Sequence, residues 1–108
     1  MDYSKLSDFE INKRVFESKT SLAALSYPHS ADKRSCGHKD INDIYQWFDF
    51  CNNPADAWPI ITSNRIGIVP GTATDKWAAH HGNWDIAIAD VKPLRAAMIV
   101  FLMMQEAK

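Results

Sequence analysis

The sequence predicts a single α+β domain in which a small antiparallel sheet packs against helices. Residues 65–69 alternate in the manner of a strand, and residues 76–81 and 84–89 flank a Gly-Asn dipeptide that is typical of a hairpin turn. Capping residues and prolines predict helices near residues 8–18, 53–63 and 93–107. A chain of 108 residues suits one hydrophobic core. We therefore expect one domain over residues 1–108.

Composition excludes several classes of protein. The chain carries 12 basic and 13 acidic residues, and the formal net charge of −1 disfavours both a nucleic-acid partner and a polybasic membrane anchor. Its most apolar stretch, residues 98–104, is far shorter than the roughly 20 residues of a membrane span. The charged opening segment lacks the apolar core of a signal peptide, and two cysteines make no disulfide framework. We expect a cytoplasmic protein with reduced thiols.

The predicted helix starts rest on local capping patterns. Ser7 and Glu10 have the spacing of a capping box, in which each side chain can accept a hydrogen bond from the other residue's backbone N–H. Asn53 stands immediately before a proline, which is typical of a cap followed by the first helical residue. Asp90 and Pro93 give the last helix a similar start.

Residues 20–46 are the least informative part of the chain. Weak alternation at residues 21–27 favours a strand, whereas residues 29–43 are polar and predict a long loop. Loops of that length in small domains are usually either functional or mobile. The aromatic residues that follow are expected to lie under or beside the core; they are Tyr45, Trp47, Phe48 and Phe50.

A two-residue turn at Gly82 and Asn83 fixes a register for the hairpin. It places His80 opposite Asp85, which predicts a cross-strand ion pair rather than a catalytic dyad. The other predicted pairs are His81 with Trp84, Ala79 with Ile86, and Trp77 with Ile88. One hairpin face is then bulky and includes Trp77 and Trp84, while the opposite face is small or polar, as expected when one side covers the core.

Chemistry-bearing residues do not form a recognisable reactive group. His80 and His81 are adjacent on a strand, point to opposite faces and cannot share one metal ion, so we expect neither a metal nor a cofactor. Cys51 precedes a helix N-terminus, which can lower the pKa of a thiol, but a structural cysteine is the favoured interpretation. The glycines are scattered singly and form no phosphate loop.

Three blocks of the sequence resemble the NinX family of small phage proteins. The blocks are residues 1–13 (MDYSKLSDFEINK), 51–61 (CNNPADAWPII) and 93–104 (PLRAAMIVFLMM). The resemblance covers the first helix and residues 50–108. Family members have asparagine where this chain has Lys92, which shifts the capping role toward Asp90. The resemblance to the NinX family implies an accessory protein of temperate phages in the bacterial cytoplasm, with no activity established. A more distant similarity to other small phage domains implies a helix–sheet–helix sandwich.

Two functions of different class are compatible with these observations. The first is a non-enzymatic interaction protein that binds a host or phage protein. The alternative is a small-ligand binder of nucleotide-like molecules. Tryptophans more often fill a core than line a pocket, and core packing is the favoured interpretation for Trp58, Trp77 and Trp84. The candidate ligand-binding residues are Asn52, Asn53, Trp58, Arg65, Trp77, His80, Trp84 and Asp85.

The last predicted helix is apolar on nearly every side. A helix that packs on one side only should be polar on the other. A sheet can cover one side, so either the rest of the chain or a second copy must cover the remainder. The residues that would form the core of a homodimer or partner interface are Ile99, Val100, Met103 and Met104.

Overall fold

The computed structural model describes residues 1–28, 31–72 and 74–108 and confirms the α+β class, with three helices and two antiparallel sheets in those residues. A short 3-10 turn at Tyr3–Lys5 precedes the first helix. The helices are α1 (Asp8–Thr20), α2 (Pro54–Ser63) and α3 (Pro93–Glu106). The strands are β1 (Cys36–Lys39), β2 (Tyr45–Phe48), β3 (Gly67–Pro70), β4 (Trp77–His81) and β5 (Ile86–Asp90). We call β1–β2 the hairpin sheet and β3–β4–β5 the main sheet.

Helix α3 forms the middle layer of the molecule. The main sheet packs on one side of α3 through β4 and β5, and α1 and α2 pack on other sides. Residues 95–102 of α3 are all buried, as the apolar sequence predicts. Alanine at two consecutive positions, Ala96 and Ala97, allows the neighbouring elements to approach the helix closely.

The predicted side-chain caps are present at the starts of α1 and α2 but not at the start of α3. The Ser7 hydroxyl accepts a hydrogen bond from the Glu10 N–H at 3.1 Å, and Asn53 accepts one from the Ala55 N–H at 3.0 Å. Lys92 occupies the cap position of α3 without a capping hydrogen bond from its side chain. The Asp90 carboxylate instead accepts from the Lys92 N–H at 3.0 Å. Asp90 therefore fixes the residue before the helix but accepts no hydrogen bond from an N–H of the first turn, so α3 starts without the side-chain cap that the prediction assigned to Asp90.

The expected strand at residues 21–27 is wrong, because this segment is irregular. It runs beside β1, where the Leu25 N–H donates to the Gly37 carbonyl at 2.8 Å. The expected loop at residues 29–43 is wrong over its second half, which contains β1; His29 and Ser30 lie outside the described residues. Strand β1 has no alternating apolar pattern of its own and is fixed by pairing with the aromatic strand β2.

The predicted hairpin register is wrong by two residues. His80 pairs with Ala87 and Ala79 with Ile88, so Asp85 lies in a four-residue turn and does not face His80. The other expected pairs are replaced in the same way, with His81 opposite Ile86 and Trp77 opposite Asp90.

The cause of the longer turn is the backbone of Trp84, which adopts a positive φ of 68°. In this conformation its ring stacks on His80, with centroids 3.9 Å apart. Trp84 was expected on the bulky, core-facing side, but it stacks on a residue of the opposite side. Strand β3 also begins later than predicted, because Arg65 has a positive φ of 54° and lies outside the strand.

Candidate functional site

A partly buried network of polar side chains joins the starts of α1 and α3 to the loop before α2. Asp8 accepts hydrogen bonds from Arg95 at 2.7 Å, from Asn52 at 3.0 Å and from Lys92. Arg95 also donates to Asp90 at 3.1 Å and to the backbone carbonyls of residues 4 and 6. These contacts engage all three nitrogens of the Arg95 guanidinium, so the network holds three chain segments in one geometry.

The network continues through Asp49 toward the hairpin sheet. The Asp49 carboxylate accepts from Asn12 at 2.9 Å, from Asn52 at 3.0 Å and from Arg34 at 3.2 Å. Asn12 is fully buried, and its side-chain oxygen accepts from the Cys51 N–H at 3.0 Å. Asn12 of α1 therefore holds the loop that leads into α2 through its hydrogen bonds to Asp49 and Cys51.

Ionisation of the two central charged groups is favoured by their partners. Burial alone would raise the pKa of Asp8, but hydrogen bonds from Lys92, Asn52 and Arg95 outweigh it and lower that pKa. Burial would lower the pKa of Arg95, and its hydrogen bonds to Asp8 and Asp90 raise it instead. The pair therefore stays charged.

An open cavity of about 350 Å³ lies on the outer side of this network, between the hairpin sheet and the first turn of α2. Its wall combines one indole ring, one guanidinium, amides and carboxylates. The lining residues are Asp32, Arg34, Ser35, Trp47, Asp49, Asn52, Asn53, Pro54 and Asp56. A volume of this size matches small-molecule sites, which begin near about 300 Å³.

Several groups on the cavity wall keep hydrogen-bonding capacity. Asp56 uses one carboxylate oxygen to accept from the Asp49 N–H at 3.0 Å, and its other oxygen has no partner among the described residues. Asn53 uses its oxygen for the cap of α2 and leaves its amide N–H groups without a partner in residues 1–28, 31–72 and 74–108. Asn52 differs, since its amide is fully engaged in the network.

The Trp47 ring is held at the edge of this cavity by Gly37. The two residues pair across the hairpin sheet, and a Cβ on Gly37 would lie 2.5 Å from the ring. One face of the indole therefore rests on the strand backbone. Trp47 is nevertheless 41% exposed, which leaves the other face accessible.

A second surface feature lies on the outer face of the main sheet, opposite α3. A shallow apolar groove of about 310 Å³ runs beside Trp84. Small or apolar side chains of all three strands line it, among them Val69, Ala78 and Ala89. His80 lies between the ring of Trp84 and the backbone of Gly67.

Comparison with known proteins identifies the family of the chain. The family described as "Bacteriophage P22, NinX" matches residues 2–105. The chain belongs to the NinX family. Neither the curated proteins nor the solved structures contain a match. In this NinX-family protein, no helix of the described residues is long and apolar enough to cross a membrane. Those residues likewise contain no group of three or more His, Cys, Asp or Glu side chains that could hold a metal ion.

The predicted ligand-binding residues of this NinX-family protein fall in separate places. Asn52 and Asn53 line the polar cavity, whereas His80 and Trp84 lie together on the main sheet. The remaining candidates line neither the cavity nor the groove; they are Trp58, Arg65, Trp77 and Asp85.

Sequence reasoning named only Asn52 and Asn53 among the nine residues that line the cavity; Arg34, Trp47 and Asp56 are among those it missed. One available signal was the Tyr45-x-Trp47 spacing, which places two aromatic rings on one face of a strand. In the structure these two rings stack with centroids 6.0 Å apart. Arg34 and Asp56 carry no local signal, because the fold alone brings them to the cavity.

The expectation that tryptophans fill the core is wrong. Trp58 is 60% exposed, Trp77 38% and Trp84 52%. The core is filled instead by aliphatic side chains and phenylalanines, including the fully buried Phe50.

The four residues predicted to form an interface divide into two pairs. Ile99 and Val100 are buried within one chain and offer no surface to a second copy. Met103 and Met104 are only partly buried. Met104, His81 and Ile86 border an open cavity of about 240 Å³ at the end of α3.

The cysteines are placed as structural residues. Cys51 is buried, and burial raises the pKa of its thiol far above the usual value, although a helix starts three residues later. Burial raises the pKa of Cys36 to about 12. The suggestion that the helix N-terminus activates Cys51 is therefore wrong.

Proposed function

We propose that this protein is a non-enzymatic interaction protein that acts on a host or phage protein in the host cytoplasm. The observation that supports this function is the placement of tryptophan. All four tryptophans of the chain are at least 38% exposed, although the core could have used such large apolar side chains. Tryptophan is enriched among the residues that contribute most to protein–protein binding energy.

The outer face of the main sheet is the surface that suits a protein partner. Its side chains are small, so a partner can approach the backbone closely, and Trp84 provides a large ring at one end. Because His80 supports that ring from below, Trp84 loses little side-chain entropy when a partner covers it.

A photo-crosslinking amino acid at position 84 tests this proposal in phage-infected host cells. We expect a single protein adduct from position 84 and none from the same amino acid at Lys19, an exposed position at the end of α1. Purified partner should then bind wild type and lose affinity for Trp84→Ala by about tenfold or more. The same adducts from both positions would contradict the proposal.

Self-association through Met103 and Met104 is a separate proposal about the partner. Methionine packs adaptably at binding surfaces. Both side chains are partly exposed, and Met104 borders the open cavity at the end of α3. Sedimentation of wild type and of Met103→Glu tests it. We expect a dimer for wild type and a folded monomer for the variant, with Lys19→Glu, at an exposed position at the end of α1, as a control that remains dimeric. A monomeric wild type would contradict homodimerisation.

A second candidate function, small-ligand binding, is favoured by the polar cavity beside Trp47. The cavity combines a flat aromatic surface with hydrogen-bonding groups that have no partner among the described residues. Thermal unfolding with a library of nucleotide-like and other ligands tests it. A ligand at 100 times its dissociation constant adds about 2.7 kcal/mol to the free energy of unfolding, which is a readily measured shift. No shift with any ligand would contradict this candidate.

A further inference from the structure

We propose that the cavity between the hairpin sheet and α2 binds a guanine base, presented as a nucleoside rather than as a nucleotide. This inference rests on the small-ligand candidate of the preceding subsection and names its ligand class. It goes beyond family membership, which assigns no ligand. The argument has three steps: the aromatic surface, the mixture of donors and acceptors, and the charge.

The first step is the aromatic surface at Trp47. Its ring lies on the backbone of Gly37 and beside the ring of Tyr45, so its orientation is fixed before a ligand arrives. The open face of a fixed indole suits a flat aromatic ligand, since stacking then costs little side-chain entropy.

The second step is the mixture of unpaired groups. Asp56 offers an unpaired carboxylate oxygen, which only accepts, while the amide of Asn53 has unpaired N–H groups, which only donate. Arg34 uses its Nε for Asp49 and leaves the two terminal nitrogens of its guanidinium without a partner among the described residues. A ligand that satisfies this wall needs both donors and acceptors on its edge.

Guanine meets that requirement more fully than the other common nucleobases. Its N1–H and amino group are adjacent donors that suit a carboxylate, and its O6 and N7 are acceptors that suit Asn53 and Arg34. Adenine has no ring N–H beside its amino group. A partner's arginine would stack on Trp47 but carries only donors, so it would accept no hydrogen bond from Asn53 or Arg34.

The third step is the charge of the wall. It carries three carboxylates, from Asp32, Asp49 and Asp56, against the single guanidinium of Arg34. Asp49 is paired with Arg34, whereas the Asp56 carboxylate has no cationic partner among the described residues, so it leaves a negative charge on the wall. That charge repels phosphate groups, which favours a nucleoside over a nucleotide or a base within a nucleic-acid strand.

Isothermal titration of the full chain with guanosine tests the proposal. We expect guanosine to bind about tenfold more tightly than adenosine or cytidine. Guanosine monophosphate and a single-stranded oligonucleotide with one guanine should bind more weakly than guanosine. Equal affinity for all nucleosides, no binding of guanosine, or tighter binding of arginine amide would each overturn it. Tighter binding of the phosphate-bearing ligands would overturn the choice of a nucleoside.

Matched variants locate the binding to this cavity. Trp47→Ala should weaken guanosine binding about tenfold or more, whereas Trp84→Ala, on the main sheet, should leave it unchanged. Asp56→Asn should remove the preference for guanosine, whereas Asp75→Asn removes one exposed charge elsewhere and should preserve it. If Trp47→Ala does not fold, Trp47→Phe keeps a flat ring and should retain part of the affinity. Unchanged affinity in both Trp47 and Asp56 variants would overturn the assignment.

The same variants separate this inference from the small-ligand candidate itself. If a ligand of another class raises the unfolding temperature and Trp47→Ala abolishes that shift, the assignment of guanine is overturned, but the cavity remains a ligand site. A library without any shift would overturn both.

Discussion

In the hairpin sheet the ring of Trp47 lies over Gly37, and in the main sheet the ring of His80 lies over Gly67. Both are directly opposed cross-strand pairs, and in both a glycine lets a ring approach the neighbouring backbone. The other face of Trp47 is open, whereas the other face of His80 is covered by the ring of Trp84 at 3.9 Å. A ring over a glycine therefore leaves an aromatic face open to a ligand in the hairpin sheet, whereas in the main sheet Trp84 covers that face.

The two sheets also differ in what supports them. The main sheet packs along the buried helix α3, and Ala79 at its centre is fully buried. The hairpin sheet rests on α1, mainly through Phe16, whose ring lies 5.3 Å from that of Phe48 and 5.1 Å from that of His38. The main sheet is thus part of the core, while the hairpin sheet contacts the core through Cys36 and Phe48 and carries exposed Tyr45 and Trp47. We call the hairpin sheet the arm. Changes near α3 should cost more stability than changes in the arm.

The largest expected effect is that of Arg95→Ala at the start of α3. Removal of the guanidinium leaves the mostly buried carboxylates of Asp8 and Asp90 without a partner that both share. We expect a loss of about 3–5 kcal/mol in the free energy of unfolding, measured by urea titration. Arg95→Lys keeps the charge but not the fork and should lose less.

The matched change in the arm is Lys39→Ala. Its ion pair with Asp43 at 3.3 Å is largely exposed on both sides, so we expect a loss below about 1 kcal/mol. Equal losses in Lys39→Ala and Arg95→Ala would contradict the distinction between core and arm.

The next effect is the pH dependence that Asp8 confers. Its pKa is lower in the folded chain than the usual 3.8, so the unfolded chain binds a proton more readily there. The stabilisation that the ionised Asp8 carboxylate gives the folded chain is fully present when the pH is above 3.8. It is lost as the pH falls through the lower pKa that Asp8 has in the folded chain.

Asp8→Asn should therefore cost about 1–3 kcal/mol at pH 7 and less at pH 3, as measured by urea unfolding at both values. The asparagine also directs an amide toward the donors of Lys92 and Asn52. An equal loss at both pH values would show that Asp8 acts by packing rather than by charge.

A smaller effect is expected when Gly67 and Gly37 are each replaced by alanine, and the two losses can be compared directly. A Cβ on Gly67 would lie 2.3 Å from His80, and one on Gly37 would lie 2.5 Å from Trp47. His80 is held by Trp84 and cannot yield freely, so Gly67→Ala should cost about 1–3 kcal/mol. No ring covers the outer face of Trp47, so the added Cβ of Gly37→Ala can displace it toward solvent. This variant should cost less and increase the exposure of Trp47, as measured by quenching of tryptophan fluorescence. A larger loss for Gly37→Ala would reverse the comparison.

The parts of the fold that the sequence predicts are those with local causes. Ser7 and Asn53 fix helix starts through hydrogen bonds to residues two or three positions away. The apolar composition of α3 predicts that the helix is buried. The alternation in residues 76–89 predicts the two paired strands of the main sheet.

The parts that escaped prediction depend on distant partners. Strand β1 exists because β2 pairs with it, and the cavity exists because Arg34, Trp47 and Asp56 meet only in the folded chain. The hairpin register failed at one residue, since the left-handed backbone of Trp84 is rare for a bulky side chain and no sequence rule anticipates it.

The smallest expected effect tests that residue. Trp84 at φ 68° carries backbone strain of about 1–2 kcal/mol, while its stacking on His80 contributes about 0.5–1.5 kcal/mol. Trp84→Gly removes both and should change the free energy of unfolding by less than about 1 kcal/mol. Trp84→Ala removes the stacking but keeps the strain, so it should be less stable than Trp84→Gly by about 1 kcal/mol in urea unfolding. If alanine is the more stable of the two, the turn has changed its register, and the short Gly82-Asn83 turn becomes the better description of that variant.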